Sequence, residues 1–142
     1  MAVIYFDSSA LLKLVLTEDG STDANRLFDV SDLSASSPVA YSEVRAGLAA
    51  ALRSKRLTSA EARQAARYWQ DDWGMVRRVP LTPVVEQLAG ELAEEHALRG
   101  ADAIHLASAF AVGPTVIMAT WDRQLSRAAS ASGLAVAPGN LS

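Results

Sequence analysis

Short apolar runs alternate with helical patterns along the chain, and this alternation constrains the fold more than any other feature of the sequence. The first run, residues 3–6, contains β-branched and aromatic side chains and is followed directly by the helical spacing of residues 8–16. Comparable runs occupy residues 33–37, 75–79, 115–119 and 134–136. Strands that alternate with helices form a parallel sheet covered on both faces. The sequence therefore predicts an α/β fold with a mostly parallel sheet of four or five strands.

Capping signals mark the starts of several predicted helices. Thr58 with Glu61 three residues later forms a capping box, and Thr82 precedes a proline that suits the first helical position. After a turn at residues 17–21, the hydroxyl of Ser21 or Thr22 can cap the second helix. The pattern predicts helices over about residues 8–16, 21–28, 39–54, 58–73, 83–97, 101–111 and 122–132.

Length and composition bound the organisation of the chain. Its 142 residues fit one domain, which is predicted to span residues 1–142. The sequence has no cysteine, and this excludes disulfides and thiolate metal sites. The N-terminus lacks the pattern of a signal peptide, and no apolar stretch approaches the ~20 residues of a membrane span. We therefore expect a protein that works in the cytoplasm without membrane association.

The net charge of −3 conceals an uneven distribution of charged residues. Residues 45–78 contain eight basic and three acidic side chains, whereas the rest of the chain contains five basic and thirteen acidic ones. Such asymmetry is typical of a cationic surface beside an acidic pocket, and also of a solvated helix face. The sequence leaves both interpretations open.

Four carboxylates occupy comparable places relative to the predicted strands. Asp7 and Asp122 each follow a strand and precede a helix, and Asp102 opens the helix that leads into the strand at 115–119. Glu43 lies one turn into the helix after the second strand. Because the carboxyl ends of parallel strands share one edge of a sheet, we expect these side chains to converge there. Converging carboxylates repel one another unless a cation lies among them, and an all-oxygen site suits Mg²⁺ or Mn²⁺.

Each of these acids also has a purely structural interpretation. Aspartate at a helix start commonly caps the helix, and glutamate within a helix commonly lies on a solvated face. The combination of positions, and no single one, therefore predicts a metal site. His105 follows Asp102 by three residues, and we favour a packed, hydrogen-bonded histidine there because oxygen-rich Mg²⁺ sites do not need it. Trp69 and Trp73 share a helical face and are predicted to pack in the core or at an interface.

Four segments of the sequence carry a resemblance to one protein family. They are Ile4–Leu11 with Lys13, Ser42–Val44, Leu98–Ala107 and Thr120–Asp122. Together, and in this order, they resemble a PIN-domain protein of the VapC toxin type over essentially the whole chain. The most specific part is the Arg-x-x-Asp-Ala-x-His-Leu-Ala pattern that begins at Arg99.

The resemblance implies a fold, an activity and a set of partners. The fold is a three-layer α/β/α sandwich around the mostly parallel sheet. The activity is that of a metal-dependent endoribonuclease, the toxin of a toxin–antitoxin pair, with Mg²⁺ as cofactor and Mn²⁺ as a substitute. The implied partners are an RNA substrate, a VapB-type antitoxin and a second copy of the chain in a homodimer.

The same resemblance assigns roles to individual residues. Four residues match the catalytic, metal-binding acids of the family: Asp7, Glu43, Asp102 and Asp122. Asp7 and Asp102 are expected to be the principal ligands of one or two metal ions. The other two acids are expected to complete the shell through water or to orient the attacking hydroxide. Ser9 and Thr120 match hydroxyl positions near the metal and are expected to orient carboxylates or waters.

Two arginines are candidates for contact with RNA phosphates. Arg45 follows Glu43 by two residues, and Arg99 opens the specific pattern. For both, a salt bridge to a neighbouring acid is the alternative. For Arg63 and Arg67, one helical turn apart, a solvated face is favoured over contact with RNA or an acidic partner.

Two other functions stay open on the sequence alone. An aspartyl phosphatase also places its nucleophilic aspartate after the first strand, but Ser9 stands where such enzymes have a second aspartate, and no lysine follows Lys55. The other alternative is a catalytically inert PIN-like module that binds RNA or protein. The intact set of four acids argues against an inert module.

Overall fold

Five parallel strands form the central sheet of the computed structural model, which describes residues 1–139. The strands are β1 (Val3–Phe6), β2 (Leu33–Ser36), β3 (Arg77–Arg78), β4 (Ile117–Ala119) and β5 (Ala135–Ala137), in the order β3-β2-β1-β4-β5. The helices are α1 (Ser8–Val15), α2 (Ser21–Val30), α3 (Val39–Arg53), α4 (Ser59–Gly74), α5 (Pro83–His96), α6 (Gly100–Val112) and α7 (Arg123–Ala131). The predicted domain boundary at residue 142 lies outside the described residues. Among the helices of residues 1–139, none combines the length and the apolar character that crossing a membrane requires.

Strand β1 lies in the middle of the sheet and is buried on both faces. Successive side chains of a strand point to opposite faces. Tyr5 belongs to the core layer formed with α5, α6 and α7, whereas Ile4 and Phe6 belong to the layer formed with α1, α3 and α4. These three side chains are at most 1% exposed. The helices on the two faces confirm the predicted three-layer α/β/α sandwich.

The carboxyl ends of the five strands are level in the sheet. Phe6 pairs with Ala119, Ala119 pairs with Ala137, and Ser36 pairs with Arg78. The register between β1 and β2 advances residue for residue, so Phe6 is also level with Ser36. The residues that follow β1 and β4 therefore emerge side by side at this edge.

The second helix starts differently from the prediction that Ser21 or Thr22 caps it. Its N-cap is Gly20, whose backbone is left-handed with a φ of +91°, and no side chain caps the helix. The Ser21 hydroxyl instead donates to the Leu16 carbonyl at 2.6 Å. A β-carbon at residue 20 would lie 2.5 Å from Nε1 of Trp121. The packed tryptophan and the left-handed backbone together select glycine here.

Four strands and several helix ends differ from the predicted boundaries. β2 ends at residue 36, not 37, and β4 begins at residue 117, not 115. β3 has two residues, not five, because the amides of Met75 and Val76 bond back to the last turn of α4. β5 begins at residue 135, not 134, because the Leu134 amide bonds to the Ala129 carbonyl of α7. α2 continues to Val30, two residues beyond its predicted end.

Asp72, in the last turn of α4, is expected to destabilise the protein at neutral pH. Burial raises its pKa to about 6, and the carboxylates of Asp71 and Asp29 add to the shift. Because this pKa lies above the value in the unfolded chain, folding favours the neutral carboxyl, and the ionised carboxylate lowers the free energy of unfolding. This loss of stability is absent at low pH, grows between about pH 4 and 6, and is constant above that range. Asp72→Asn should therefore stabilise the fold at about pH 7.5 by about 1 kcal/mol, after allowance for solvent screening of this half-buried group.

Urea unfolding at about pH 7.5 and about pH 3.5 measures this difference. The gain from Asp72→Asn should disappear at the lower pH. An equal gain at both values would show that the carboxylate charge is not its cause.

Candidate active site

Asp7 leaves β1 at the carboxyl edge of the sheet and caps α1. Its carboxylate is buried, with the residue 2% exposed. Oδ1 accepts hydrogen bonds from the Ala10 amide at 2.9 Å and from the Ser9 hydroxyl at 2.6 Å, and Oδ2 accepts one from the Thr120 hydroxyl at 2.6 Å. Asp7 can therefore cap α1 and also belong to a functional site, because helix capping and the site both place it at the junction between β1 and α1.

The environment of Asp7 opposes its negative charge when no cation is near. Burial raises the pKa of Asp7 above its usual range, although the charge of His105 and the hydrogen bonds from Ser9, Thr120 and Ala10 act in the opposite direction. A neighbouring cation would favour the ionised carboxylate.

The two hydroxyl residues predicted near the site connect β1 to the segment after β4. Ser9 donates to Asp7 and accepts the Trp121 amide at 3.0 Å. Thr120, which is fully buried, donates to Asp7 and accepts the Asp122 amide at 3.0 Å. Each hydroxyl orients a carboxylate and fixes the backbone that carries the next acid.

Arg99 lies between two of the predicted acids. Asp122 caps α7 through Oδ1, which accepts the Leu125 amide at 2.9 Å, while its Oδ2 lies 3.6 Å from Nη2 of Arg99. Asp102, in the first turn of α6, does not cap that helix, and its Oδ2 accepts a hydrogen bond from Nε of Arg99 at 3.0 Å. Asp102, and then Asp122 and Glu43, raise the pKa of Arg99. The salt-bridge interpretation of Arg99 is therefore observed.

Glu43 is held by a buried histidine. Nε2 of His105 lies 2.8 Å from Oε1 of Glu43, and Nδ1 lies 2.7 Å from the Tyr5 hydroxyl. A carboxylate only accepts hydrogen bonds, so in the neutral ring Nε2 donates to Glu43 and Nδ1 accepts from Tyr5. Burial raises the pKa of Glu43, but the bond and charge of His105, with Ser8 and Arg99, bring it below its usual range. Glu43 is therefore ionised at neutral pH.

Polar contacts connect three of the four acids, and the fourth, Glu43, is joined through His105 to α6, the helix that carries Asp102. Thr120 links Asp7 to the backbone of Asp122, Arg99 links Asp122 to Asp102, and His105 links α6 to Glu43. Within residues 1–139, no three histidine, aspartate or glutamate side chains form a cluster ready to hold a metal ion. The acids thus share one edge of the sheet without forming a closed cage, and their metal-ligand roles stay predictions.

Comparison with known proteins identifies the family. A model of the PIN domain matches residues 4–131. The chain belongs to the PIN domain family. Two curated relatives, Ribonuclease VapC45 of Mycobacterium tuberculosis (strain CDC 1551 / Oshkosh) and Ribonuclease VapC49 of Mycobacterium tuberculosis (strain ATCC 25618 / H37Rv), are each 54% identical over 142 residues, covering 99% of both chains. The resemblance found in the sequence is confirmed.

A solved structure shares the fold of this PIN domain. The crystal structure of PAE2754 from Pyrobaculum aerophilum aligns with a TM-score of 0.69 at 21% identity, covering 96% of this chain and 92% of that one. At this identity the likeness concerns the fold alone.

The predicted phosphate contact at Arg45 lies on the far side of α3 from Glu43. Two residues of a helix are separated by about 200° around its axis. Nη1 of Arg45 donates to the Tyr41 hydroxyl at 2.9 Å, and no carboxylate of residues 1–139 forms a salt bridge with it. The alternative of a salt bridge at Arg45 is therefore wrong for the described residues. Trp69 and Trp73 are buried in the PIN-domain core, as the sequence indicates.

Tyr5 is the site residue that sequence analysis misses. A buried phenol needs a hydrogen-bond partner, and the apolar run around Tyr5 predicts burial. That signal marks Tyr5 as a residue with a polar partner. The partner, His105, lies 100 positions away in sequence, and local patterns do not identify it.

Proposed function

We propose that this PIN-domain protein is a metal-dependent endoribonuclease, the toxin of a toxin–antitoxin pair. The observation that carries the proposal is the 54% identity, over the full chain, to two proteins named as VapC ribonucleases. The polar contacts that hold Asp7, Asp102 and Asp122, and the separate bond from His105 to Glu43, support it, since hydrolysis of a phosphodiester needs charge and ordered water at one place.

The residues present fit a divalent cation with oxygen ligands. Asp7 and Asp102 would be its principal ligands, with Asp122 and Glu43 completing the shell through water. The buried Asp7 carboxylate and the guanidinium held between Asp102 and Asp122 both indicate a place where positive charge is favourable. When bound, Mg²⁺, or Mn²⁺ in its place, would activate water and neutralise charge on the phosphate.

The chain's own side chains would order the reactants. Glu43, ionised and held through Oε1 by His105, would accept a hydrogen bond from the attacking water and then its proton. Ser9 and Thr120 would keep the Asp7 carboxylate oriented. Arg99, whose side chain is 80% exposed, would reach the phosphate that enters beside Asp102. The water oxygen would bond to phosphorus, the bond from phosphorus to the leaving ribose oxygen would break, and that oxygen would take a proton from solvent, to which Glu43 would return the proton it accepted.

The proposed partners follow from the same assignment. They are an RNA substrate, a VapB-type antitoxin and a second copy of the chain in a homodimer. We place the protein in the cytoplasm, where RNA and a protein antitoxin are both available.

The test is cleavage of a defined single-stranded RNA by the purified protein. Cleavage should require Mg²⁺ or Mn²⁺, stop on chelation and resume when the ion is restored. RNA binding without cleavage under these conditions would favour an inert module instead. Hydrolysis of a small phosphate monoester with RNA left intact would favour an aspartyl phosphatase.

Arg99→Gln is expected to tighten the binding of Mn²⁺ to the RNA-free protein. The guanidinium neutralises Asp102 and Asp122 and so competes with a divalent ion for them. Since the arginine is largely exposed, the change should be modest, roughly threefold to tenfold in Kd. Titration calorimetry with Mn²⁺ measures it, and Arg63→Gln is the matched control on an exposed helix face. Unchanged or weaker Mn²⁺ binding would contradict the competition.

A further inference from the structure

The carboxyl edge of the sheet continues from the candidate active site to a pair of arginines. Arg78, the last residue of β3, is level with Ser36 of β2 and with Phe6, the residue before Asp7. Neighbouring strands lie about 4.8 Å apart, so the backbone of Arg78 is about 10 Å from the end of β1. An anionic chain that occupies the active site can therefore reach Arg78 along the same edge.

Aromatic rings hold Arg78 and Arg45 in place. The guanidinium carbon of Arg78 is 4.7 Å from the centre of the Trp73 ring, and its Nη2 donates to the Trp73 carbonyl at 3.4 Å. The guanidinium carbon of Arg45 is 5.8 Å from the centre of the Tyr41 ring. The rings of Tyr41 and Trp73 are themselves 5.8 Å apart. Two cations are thus fixed on adjoining rings, which lowers the entropy lost when they bind an anion.

The Tyr41 hydroxyl orients the Arg45 side chain through a hydrogen bond. It accepts hydrogen bonds from Nη1 of Arg45 at 2.9 Å and from Nε2 of Gln70 at 2.5 Å. These bonds and the charge of Arg45 lower the pKa of Tyr41. The hydroxyl therefore joins α3 and α4 and sets the direction of the guanidinium.

Neither arginine is neutralised by a carboxylate of the described residues. Both side chains are exposed, and no salt bridge within residues 1–139 involves either of them, in contrast to Arg26, Arg56 and Arg99. The acid nearest in sequence to Arg78, Asp72, has a raised pKa, which is opposite to the effect of a paired guanidinium. The positive charge of this surface is available to a ligand.

We infer that Arg45 and Arg78 bind phosphates of the RNA strand that flank the scissile bond, on the β2–β3 side of the active site. This inference rests on the proposed ribonuclease function and adds the direction in which the RNA leaves the site. Guanidinium groups bind phosphate oxygens through two donors, and charge complementarity favours a polyanion on this surface. Trp73 is only 6% exposed, so the rings support the arginines and do not stack on bases.

The experiment compares RNA binding by three variants in the presence of a chelator, so that cleavage does not enter the measurement. Arg45→Gln/Arg78→Gln removes both proposed contacts. Arg53→Gln/Arg63→Gln is the matched control, because it removes two exposed arginines, one from α3, which also carries Arg45, and one from α4, the helix before β3. Fluorescence anisotropy with a labelled single-stranded RNA gives Kd over a range of salt concentrations, and thermal melting verifies that each variant is folded.

The Arg45→Gln/Arg78→Gln protein should bind RNA about tenfold more weakly, and the slope of log Kd against log salt should fall by roughly 1.4, or 0.7 per lost contact. Tyr41→Phe should weaken binding roughly twofold to threefold with an unchanged slope, because it removes the orienting hydroxyl and no charge. The control should match the wild type.

Equal losses in the control and the double variant, or an unchanged slope in the double variant, would overturn the inference. The Arg45→Gln/Arg78→Gln protein could instead keep its affinity for RNA and lose binding to an acidic peptide. That result would assign the surface to a protein partner and would also overturn the inference. Because binding is measured without cleavage, these outcomes are independent of whether the wild-type protein cleaves RNA.

Discussion

Asp7→Asn is expected to abolish metal-dependent RNA cleavage, by about 10³-fold or more, in a protein that remains folded. A principal metal ligand contributes several kcal/mol to stabilisation of the transition state, and each 1.36 kcal/mol is a factor of about ten in rate. Asparagine caps helices as well as aspartate does, so its amide oxygen can keep the bond from the Ala10 amide. That oxygen also keeps the bond from the Ser9 hydroxyl, while the Thr120 hydroxyl can rotate and accept from the new amide nitrogen at the Oδ2 position.

The same variant should unfold at a higher temperature than the wild type when no metal is present. Burial disfavours the charged form of Asp7, and asparagine removes that charge without removing the cap. Cleavage of a defined RNA and thermal melting in chelator are the two measurements, with the exposed Asp19→Asn as control. Cleavage by Asp7→Asn at the wild-type rate would remove Asp7 from the ligand set. Unfolding of the variant would leave Asp7 with the capping role alone.

Local sequence signals explain why the positions of Asp7 and Asp122 could be predicted from the sequence. The strand before Asp7 and the helix after it are both encoded within a few residues, and the same is true of the segment around Asp122. The shared edge follows from the parallel sheet, because all the strands point the same way. The positions of these acids are therefore largely consequences of short patterns and one topological rule.

The remaining features depend on rotation and register that short patterns do not encode. Glu43 and Arg45 are two residues apart but lie on different sides of α3, so Glu43 contacts His105 and Arg45 contacts Tyr41. Gly20 replaces the expected hydroxyl cap because Trp121, a hundred residues later, packs against it. For Glu43 and for Gly20, a side chain distant in sequence decides the outcome.

His105→Leu is expected to destabilise the protein by about 2–4 kcal/mol and to slow RNA cleavage by about 10- to 100-fold. The substitution removes the partner of the Tyr5 hydroxyl, which is fully buried, and an unpaired buried polar group costs about 1–3 kcal/mol. It also releases Glu43, since Oε1 loses the bond that orients it. Packing and positioning are both lost, so stability and rate must be separated by further variants.

The double variant Tyr5→Phe/His105→Leu separates the effect on stability from the effect on the cleavage rate. With both polar partners of the buried pair replaced by apolar groups, most of the lost stability should return, because the Tyr5 hydroxyl that His105→Leu leaves unpaired is no longer present. Cleavage should stay slow, since Glu43 is still released. Urea unfolding and single-turnover cleavage measure the two effects. Recovery of both stability and rate would reduce His105 to a packing role.

Glu43→Gln provides the second comparison. If His105 acts through Glu43, adding His105→Leu to Glu43→Gln should slow cleavage little further, because the residue that His105 orients has already lost its charge. The stability cost of His105→Leu should persist in that double variant, since Tyr5 again lacks its partner. Additive losses in rate would instead mean that His105 supports another acid of the site. Asp7 would be the first candidate, because the charge of His105 opposes the rise in the Asp7 pKa that burial causes.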